Sequence, residues 1–183
     1  MSEVLDKKKI RKVFRDVQKH LAIAQLIRRF STNKEDIRKT ALSHVDLSDC
    51  RNVLELGCAF GAFTEALKDK LHPDAEITGI DIIPEYKPFF LEACHLAGYE
   101  GFFSSSGIDR IKKYITQSFD LIICSYALYF FPDMIQEIAH ILNKDGVFIT
   151  ITHSQADMQE TVGIIKEILK QNNLLNDEQV LPI

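Results

Sequence analysis

Tryptophan is absent from this 183-residue chain, and cysteine, proline and glycine are sparse at four, five and eight residues. The cysteines (Cys50, Cys58, Cys94 and Cys124) stand 8, 36 and 30 positions apart. That spacing contains no CxxC pair and excludes the usual thiolate metal knuckles. It also does not resemble the disulfide framework of a small secreted domain. Long apolar runs are missing as well: stretches such as 121–124 and 146–151 fall far short of the roughly 20 residues a membrane-crossing helix needs. Met1 leads directly into a polar, lysine-rich stretch without the apolar core of a secretory signal. There are no internal repeats and no low-complexity tracts. The expectation is a cytoplasmic protein without a membrane span.

Hydrophobic residues make up 46% of the chain and charged residues 26%, enough apolar material for one domain to build a core unaided. The net charge of −4 hides an asymmetry. Residues 1–40 hold twelve Lys and Arg against five Asp and Glu, a net of +7, and the remainder carries −11. An acidic body argues against a broad nucleic-acid-binding face, although the basic head could still touch phosphate.

The first forty residues read as helix. Ile10, Val13, Phe14, Val17, Leu21 and Ala24 recur at steps of three and four and so share a face. Ser31, Thr32 and Asn33 resemble an N-cap for a second short helix through about His44. One apolar stripe needs a partner surface, so residues 1–46 are expected to form a cap on a core that occupies 47–183.

From residue 52 strands and helices alternate. Strands are expected at Asn52–Leu56, Glu76–Ile80, Gly101–Ser105 and Phe119–Ser125, and from the Asp145-Gly146 turn to about Thr152. Helices are expected from the turn after the first strand to about Leu71, and then over Pro88–Ala97, Asp109–Ile115, Pro132–Leu142 and Gln155–Gln171. This pattern predicts right-handed βαβ crossovers and an α/β three-layer sandwich with a Rossmann-like, mostly parallel sheet. Ligands of such sheets bind beyond the carboxyl ends of the strands, so the residues following each strand carry the interest.

After the first strand comes Val53-Leu54-Glu55-Leu56-Gly57-Cys58-Ala59-Phe60-Gly61-Ala62-Phe63. Gly57 and Gly61 suit a tight turn and close backbone approach to a ligand. Glu55 sits where a phosphate-binding loop would avoid negative charge, which points to a cationic ligand.

With these pieces, the chain resembles the class I S-adenosylmethionine-dependent methyltransferases over roughly residues 50–155. VLELGCAFGAF corresponds to the first motif, ITGIDI to the second, FDLIICSYALYFFPD to the fourth and LNKDGVFIT to the last. The resemblance implies S-adenosyl-L-methionine as cofactor. Glu55 would support its amino-acid end, Gly57, Cys58 and Gly61 would be backbone neighbours, and Asp81 would bind the ribose hydroxyls. Ile82 would pack on the adenine, and Gly107 and Ile108 would contact it, with Asp109 a substitute for the acid usual in the third motif. Ala59 and Cys124 complete the cofactor set, the thiols of Cys58 and Cys124 reading as small buried hydrophobes. Two departures stand out: Ala59 replaces the usual middle glycine and the bulky Phe60 follows it. The fourth motif lacks an Asn/Asp-Pro-Pro-Tyr signature and looks more like the small-molecule enzymes.

Methyl transfer needs chiefly alignment, and a base only where the nucleophile carries a proton. His153 and Tyr126 are the catalytic candidates, Tyr129 is expected to shape the pocket, and His95 reads as structural. No metal is expected. The expected partners are a small-molecule substrate and either a second copy or a partner at the C-terminal sheet edge. Two other functions stay open. One is a non-catalytic methyltransferase-like subunit, suggested by Ala59, Phe60 and the irregular third motif. The other is a nicotinamide-dependent oxidoreductase, disfavoured because 57–62 lacks G-x-G-x-x-G spacing. The resemblance further implies two strands after the final helix, yet twelve residues follow Gln171, room for one short strand at Gln179–Ile183. The expectation is a core clipped at its C-terminus.

Overall fold

In an extended chain successive side chains alternate between faces, and five apolar segments here use both faces of one sheet. The computed structural model describes residues 7–108, 111, 118–153 and 159–172. Its strands are β1 (Asn52–Leu56), β2 (Glu76–Asp81), β3 (Glu100–Ser105), β4 (Phe119–Ser125) and β5 (Leu142–Ile151). They form a single parallel sheet in the order β3-β2-β1-β4-β5. The order reverses between β1 and β4, which puts the switch point at the carboxyl ends of those two strands.

The helices are α1 (Lys7–Phe14), α2 (Val17–Phe30), α3 (Ile37–Leu42), α4 (Ala62–Ala66), α5 (Lys87–Ala97), α6 (Ile135–Ile141) and α7 (Gln159–Gln171). On one face of the sheet Val53, Ile77, Leu121 and Ile123 pack with Phe63 of α4 and with Phe90 and Cys94 of α5. On the other, Leu54, Leu56, Ile80 and Ile122 pack with Ile138 and Ile141 of α6. These two buried layers make the three-layer sandwich. The strands read as continuous apolar runs because a parallel sheet is covered on both sides.

The chain divides into two compact units, Met1–Ile151 and Thr152–Ile183. The second contains α7, on which Ile164 and Ile168 are exposed. No helix among the described residues is long and apolar enough to cross a membrane.

Several boundaries differ from expectation. The helix expected ahead of Ser31 is two helices: α1 ends at Phe14, and Asp16 caps α2, its carboxylate accepting the Lys19 amide at 3.0 Å. The apolar stripe therefore does not run on in one register, and Val13, assigned to the buried face, is 65% exposed. The cap of α3 is Asp36, which accepts the Arg38 amide, rather than the Ser31–Asn33 cluster. Those residues instead bond locally: the Ser31 hydroxyl donates to the Asn33 carbonyl, and Asn33 Oδ1 accepts the Glu35 amide. Helix α4 stops at Ala66 instead of reaching Leu71, and Asp69 takes a left-handed φ of 59°.

Between Pro132 and Met134 the chain is 3₁₀, and α6 proper starts at Ile135. Strand β5 begins at Leu142, directly after α6, so Asp145-Gly146 lies inside the strand, which pairs with β4 across a register shift between Phe119 and Leu121. Asp120 stitches that end of the sheet. One carboxylate oxygen accepts the Arg51 and Asn52 amides, each at 2.9 Å, and the other accepts the Asn143 side-chain amide. The expected helix at Asp109–Ile115, the start of the helix at Gln155 and the strand at Gln179–Ile183 lie wholly or largely outside the described residues.

Candidate cofactor site

Strand β1 ends at Leu56, and the next five residues turn the chain back over the sheet into α4. Gly57 and Gly61 take φ of 69° and 75°, a region open to glycine. Space is as restrictive as conformation. A Cβ on Gly57 would come within 2.6 Å of the Ala127 Cβ, and one on Gly61 within 2.6 Å of the Ala93 Cβ. Ala59 takes φ 43°, so alanine holds the left-handed conformation that glycine adopts freely. The loop is hooked onto β2 by the Gly57 amide, which donates to the Ile80 carbonyl at 2.8 Å.

Asp81 closes β2 beside this loop. One of its oxygens accepts the Ala59 amide at 3.0 Å and the other the Ile83 amide at 2.8 Å. The carboxylate is 9% exposed. Burial pushes its pKa up, and the amides of Ile83, Ala59 and Ile82 oppose that rise. A carboxylate offers about four acceptor positions, so each oxygen keeps one for a ligand hydroxyl.

Glu55 lies beneath the loop at 3% exposure. Its carboxylate accepts the Thr64 hydroxyl of α4. Burial pushes its pKa up to about 7, the Thr64 hydrogen bond pulls it back, the Asp81 charge adds to the rise and the Arg38 charge lowers it. Arg38 reaches over from α3. It pairs with Asp36 at 2.8 Å through two of its nitrogens and donates a further hydrogen bond to the Ala62 carbonyl at the start of α4.

The N-terminal helices cover the outer side of this loop. Phe14, Val17 and Leu21 pack with Ala59, Phe60, Ile82, Ile83, Tyr86 and Phe103. His20 Nδ1 is 2.6 Å from the Tyr86 hydroxyl, which donates to the Phe14 carbonyl at 3.1 Å. The His20 ring stands edge-on to Phe14, Phe60 and Tyr86.

Of the residues singled out in the sequence, Glu55, Gly57, Cys58, Ala59, Gly61, Asp81 and Ile82 come together around the ends of β1 and β2. Ile82 is half-buried and touches the cluster made with the cap. Gly107 is half-buried and Ile108 is buried with the α6-side core, at the end of β3. Asp109 lies outside the described residues. Cys58 and Cys124 are buried free thiols, and burial raises both, Cys124 to about 12. Cys124 is fully enclosed on β4, and its carbonyl accepts the Thr150 hydroxyl. Tyr126, just past β4, is 40% exposed at φ 53°, with its amide donating to the Ile151 carbonyl at 2.7 Å. Tyr129 is 42% exposed, and its ring is tilted at 53° to that of Phe130 with the centroids 4.4 Å apart. His153 is exposed and belongs to the second unit. His95 is exposed in the last turn of α5. No group of three metal-ligating side chains is present among the described residues.

Arg38, Thr64, His20 and Tyr86 were not identified from sequence. Thr64 meets Glu55 across 9 positions, Arg38 reaches the Ala62 carbonyl across 24 and His20 meets Tyr86 across 66, and no local spacing encodes these pairings.

A family model described as a methyltransferase domain matches residues 47–181. The chain belongs to the class I S-adenosylmethionine-dependent methyltransferases. A curated relative is the malonyl-[acyl-carrier protein] O-methyltransferase of Bacillus anthracis, 26% identical over 173 residues, covering 91% of this chain and 57% of that protein. The chain thus spans just over half the length of that relative. Among solved structures, a precorrin-6y C5,15-methyltransferase of Geobacter metallireducens superposes with a TM-score of 0.54 at 14% identity, covering 72% of this chain and 69% of that one. A ribosomal protein L11 methylase of Lactobacillus delbrueckii gives 0.51 at 18%, covering 80% and 72%. These structures share the fold. The family implies S-adenosylmethionine as methyl donor, and the donor set here fits it: an anchored carboxylate with acceptor positions left for a diol, and a second acid beneath the glycine loop suited to a cationic group.

Proposed function

We propose that this methyltransferase uses S-adenosylmethionine to methylate a small-molecule acceptor by in-line displacement. The observation that carries the proposal is Asp81. Its two oxygens are fixed by amides from two different loops, so its free acceptor positions are preorganised for a pair of vicinal hydroxyls. When bound, the cofactor supplies a methyl carbon on a sulfonium, which a nucleophile displaces with the C–S electron pair leaving on sulfur.

The chain's own groups hold and orient. Asp81 accepts the ribose hydroxyls, Gly57 and Gly61 admit the ligand to the backbone, and Ile82 gives an apolar wall. Glu55 places negative charge under the loop for the amino end. Tyr126, just past the strand beside β1 and 40% exposed, would orient the acceptor. The Bacillus anthracis relative is named as a malonyl-[acyl-carrier protein] O-methyltransferase. A carboxylate acceptor is already ionised at neutral pH and needs no base, so alignment alone suffices. Ala59 supports catalytic competence because it holds the glycine-like turn despite its methyl group.

The test is methyl transfer from labelled S-adenosylmethionine to a fractionated extract. Label in the small-molecule fraction, released as methanol by mild alkali, is expected for a carboxylate acceptor. Label confined to protein or RNA would refute the acceptor assignment.

A further inference from the structure

Helix α1 carries Lys8, Arg11 and Lys12 at helical spacing, and Arg15 follows one turn on, so the four cations form a single stripe about 10 Å long. All four are exposed. The stripe forms one wall of a groove of about 900 Å³ whose other wall is the turn at 82–85, immediately after Asp81. Asp16 and Glu85 are the acids lining it. Among the described residues, no ion pair joins Arg11, Lys12 or Arg15 to a carboxylate. Helix α1 is held in place at its C-terminal end, where Phe14 packs into the cluster with Ile83 and Tyr86. A net-acidic protein therefore holds an excess of positive charge against the residues that follow its ribose-binding acid.

We infer that this groove is an anion site that holds the phosphate-bearing end of the methyl acceptor. Arginine forks match phosphate oxygens in pairs, and Arg11 and Arg15 lie one turn apart on the same face. The groove has room for a small molecule and carries an acid on its far wall. A lipid surface or a duplex would instead favour a flat face of one charge. The acceptor role rests on the methyltransferase proposal, whereas the anion site does not.

The experiment titrates the full chain with pyrophosphate by calorimetry, and separately with S-adenosylhomocysteine. Saturable binding of one pyrophosphate is expected, weakened at least tenfold in the Arg11→Ala/Arg15→Ala variant while S-adenosylhomocysteine affinity stays within twofold. Lys12→Gln serves as a second variant, expected to weaken pyrophosphate severalfold. Absence of saturable binding, or equal binding by the variants, would overturn the site. So would tight binding to phosphatidylserine vesicles with which pyrophosphate does not compete. Pyrophosphate binding without any S-adenosylhomocysteine binding would keep the anion site and sink its role for an acceptor. Where label transfer occurs, phosphatase treatment of the extract should abolish the labelled product, and its persistence would contradict the phosphate assignment.

Discussion

His20 and Tyr86 meet across 66 residues of sequence, with Nδ1 2.6 Å from the phenolic oxygen. The phenol has one proton, and it is committed to the Phe14 carbonyl. Neutral His20 must therefore donate from Nδ1, which fixes its tautomer. The pair ties the N-terminal helices to the turn that follows Asp81, so those helices and the end of β2 share one hydrogen-bonded junction.

Tyr86→Phe removes the hydroxyl and leaves His20 Nδ1 and the Phe14 carbonyl without this partner. A loss of about 1–2 kcal/mol is expected. Hydrogen exchange should quicken in α1 and α2 and not in the central strands. Equal protection of the cap in variant and wild type would show that the junction does not hold it. Burial lowers the His20 pKa below its usual 6.5. Its contribution is thus present above about pH 6.5 and lost as pH falls through the depressed value, so acid should loosen the cap.

Ala59→Gly should stabilise the protein by about 0.5–1 kcal/mol. Relief of an L-residue at φ 43° outweighs the added freedom of glycine in the unfolded chain. Ala59→Val should lose about 2 kcal/mol or more, since a β-branched residue fits that region poorly. Urea denaturation midpoints measure both, and a destabilised Gly variant would rule out strain at this position.

Gly79→Ala in β2 puts a methyl 2.5 Å from the Phe90 ring and 2.7 Å from the Cys58 sulfur. Phe90 is fully buried, so its ring has little room to yield. The expected cost is about 1–3 kcal/mol, read from thermal unfolding. A neutral result would mean that α5 shifts away freely.

Glu55 has a folded pKa raised to about 7 from an ordinary 4.5. A raised carboxyl contributes stability that is whole below about pH 4.5 and is lost as pH rises toward 7. The difference is at most about 3 kcal/mol. Glu55→Gln keeps an acceptor for Thr64 and should flatten this part of the stability–pH curve. Cofactor binding near pH 6.5 should release protons in the wild type and fewer in the variant, as seen by calorimetry in buffers of different ionisation enthalpy.

The sheet was legible because a parallel sheet buried on both faces writes itself as apolar runs between turn residues. β1 and β4 fall at their expected bounds for that reason. The glycine loop and Asp81 were legible because close backbone approach restricts residue type locally. The split at Asp16 was missed although aspartate before Val17 is a fair cap signal, because the apolar period continued across it and outweighed the cap. The β5 start was missed because the Asp145-Gly146 turn signal sits within an irregular stretch of strand, where Asp120 and Asn143 hold the pairing. His20–Tyr86 and Glu55–Thr64–Arg38 depend on which elements pack together, and no spacing along the chain states that.

The central claim is that the carboxylate of Asp81, fixed by the Ala59 and Ile83 amides, is the cofactor's anchor. It is tested most directly by calorimetric titration of S-adenosylhomocysteine into wild type and Asp81→Ala, with folding of both verified. The account predicts one saturable site in the wild type, weakened at least 30-fold in the variant, since two hydroxyl bonds to a charged acceptor are lost. No binding by the wild type, or equal binding by both, would contradict it.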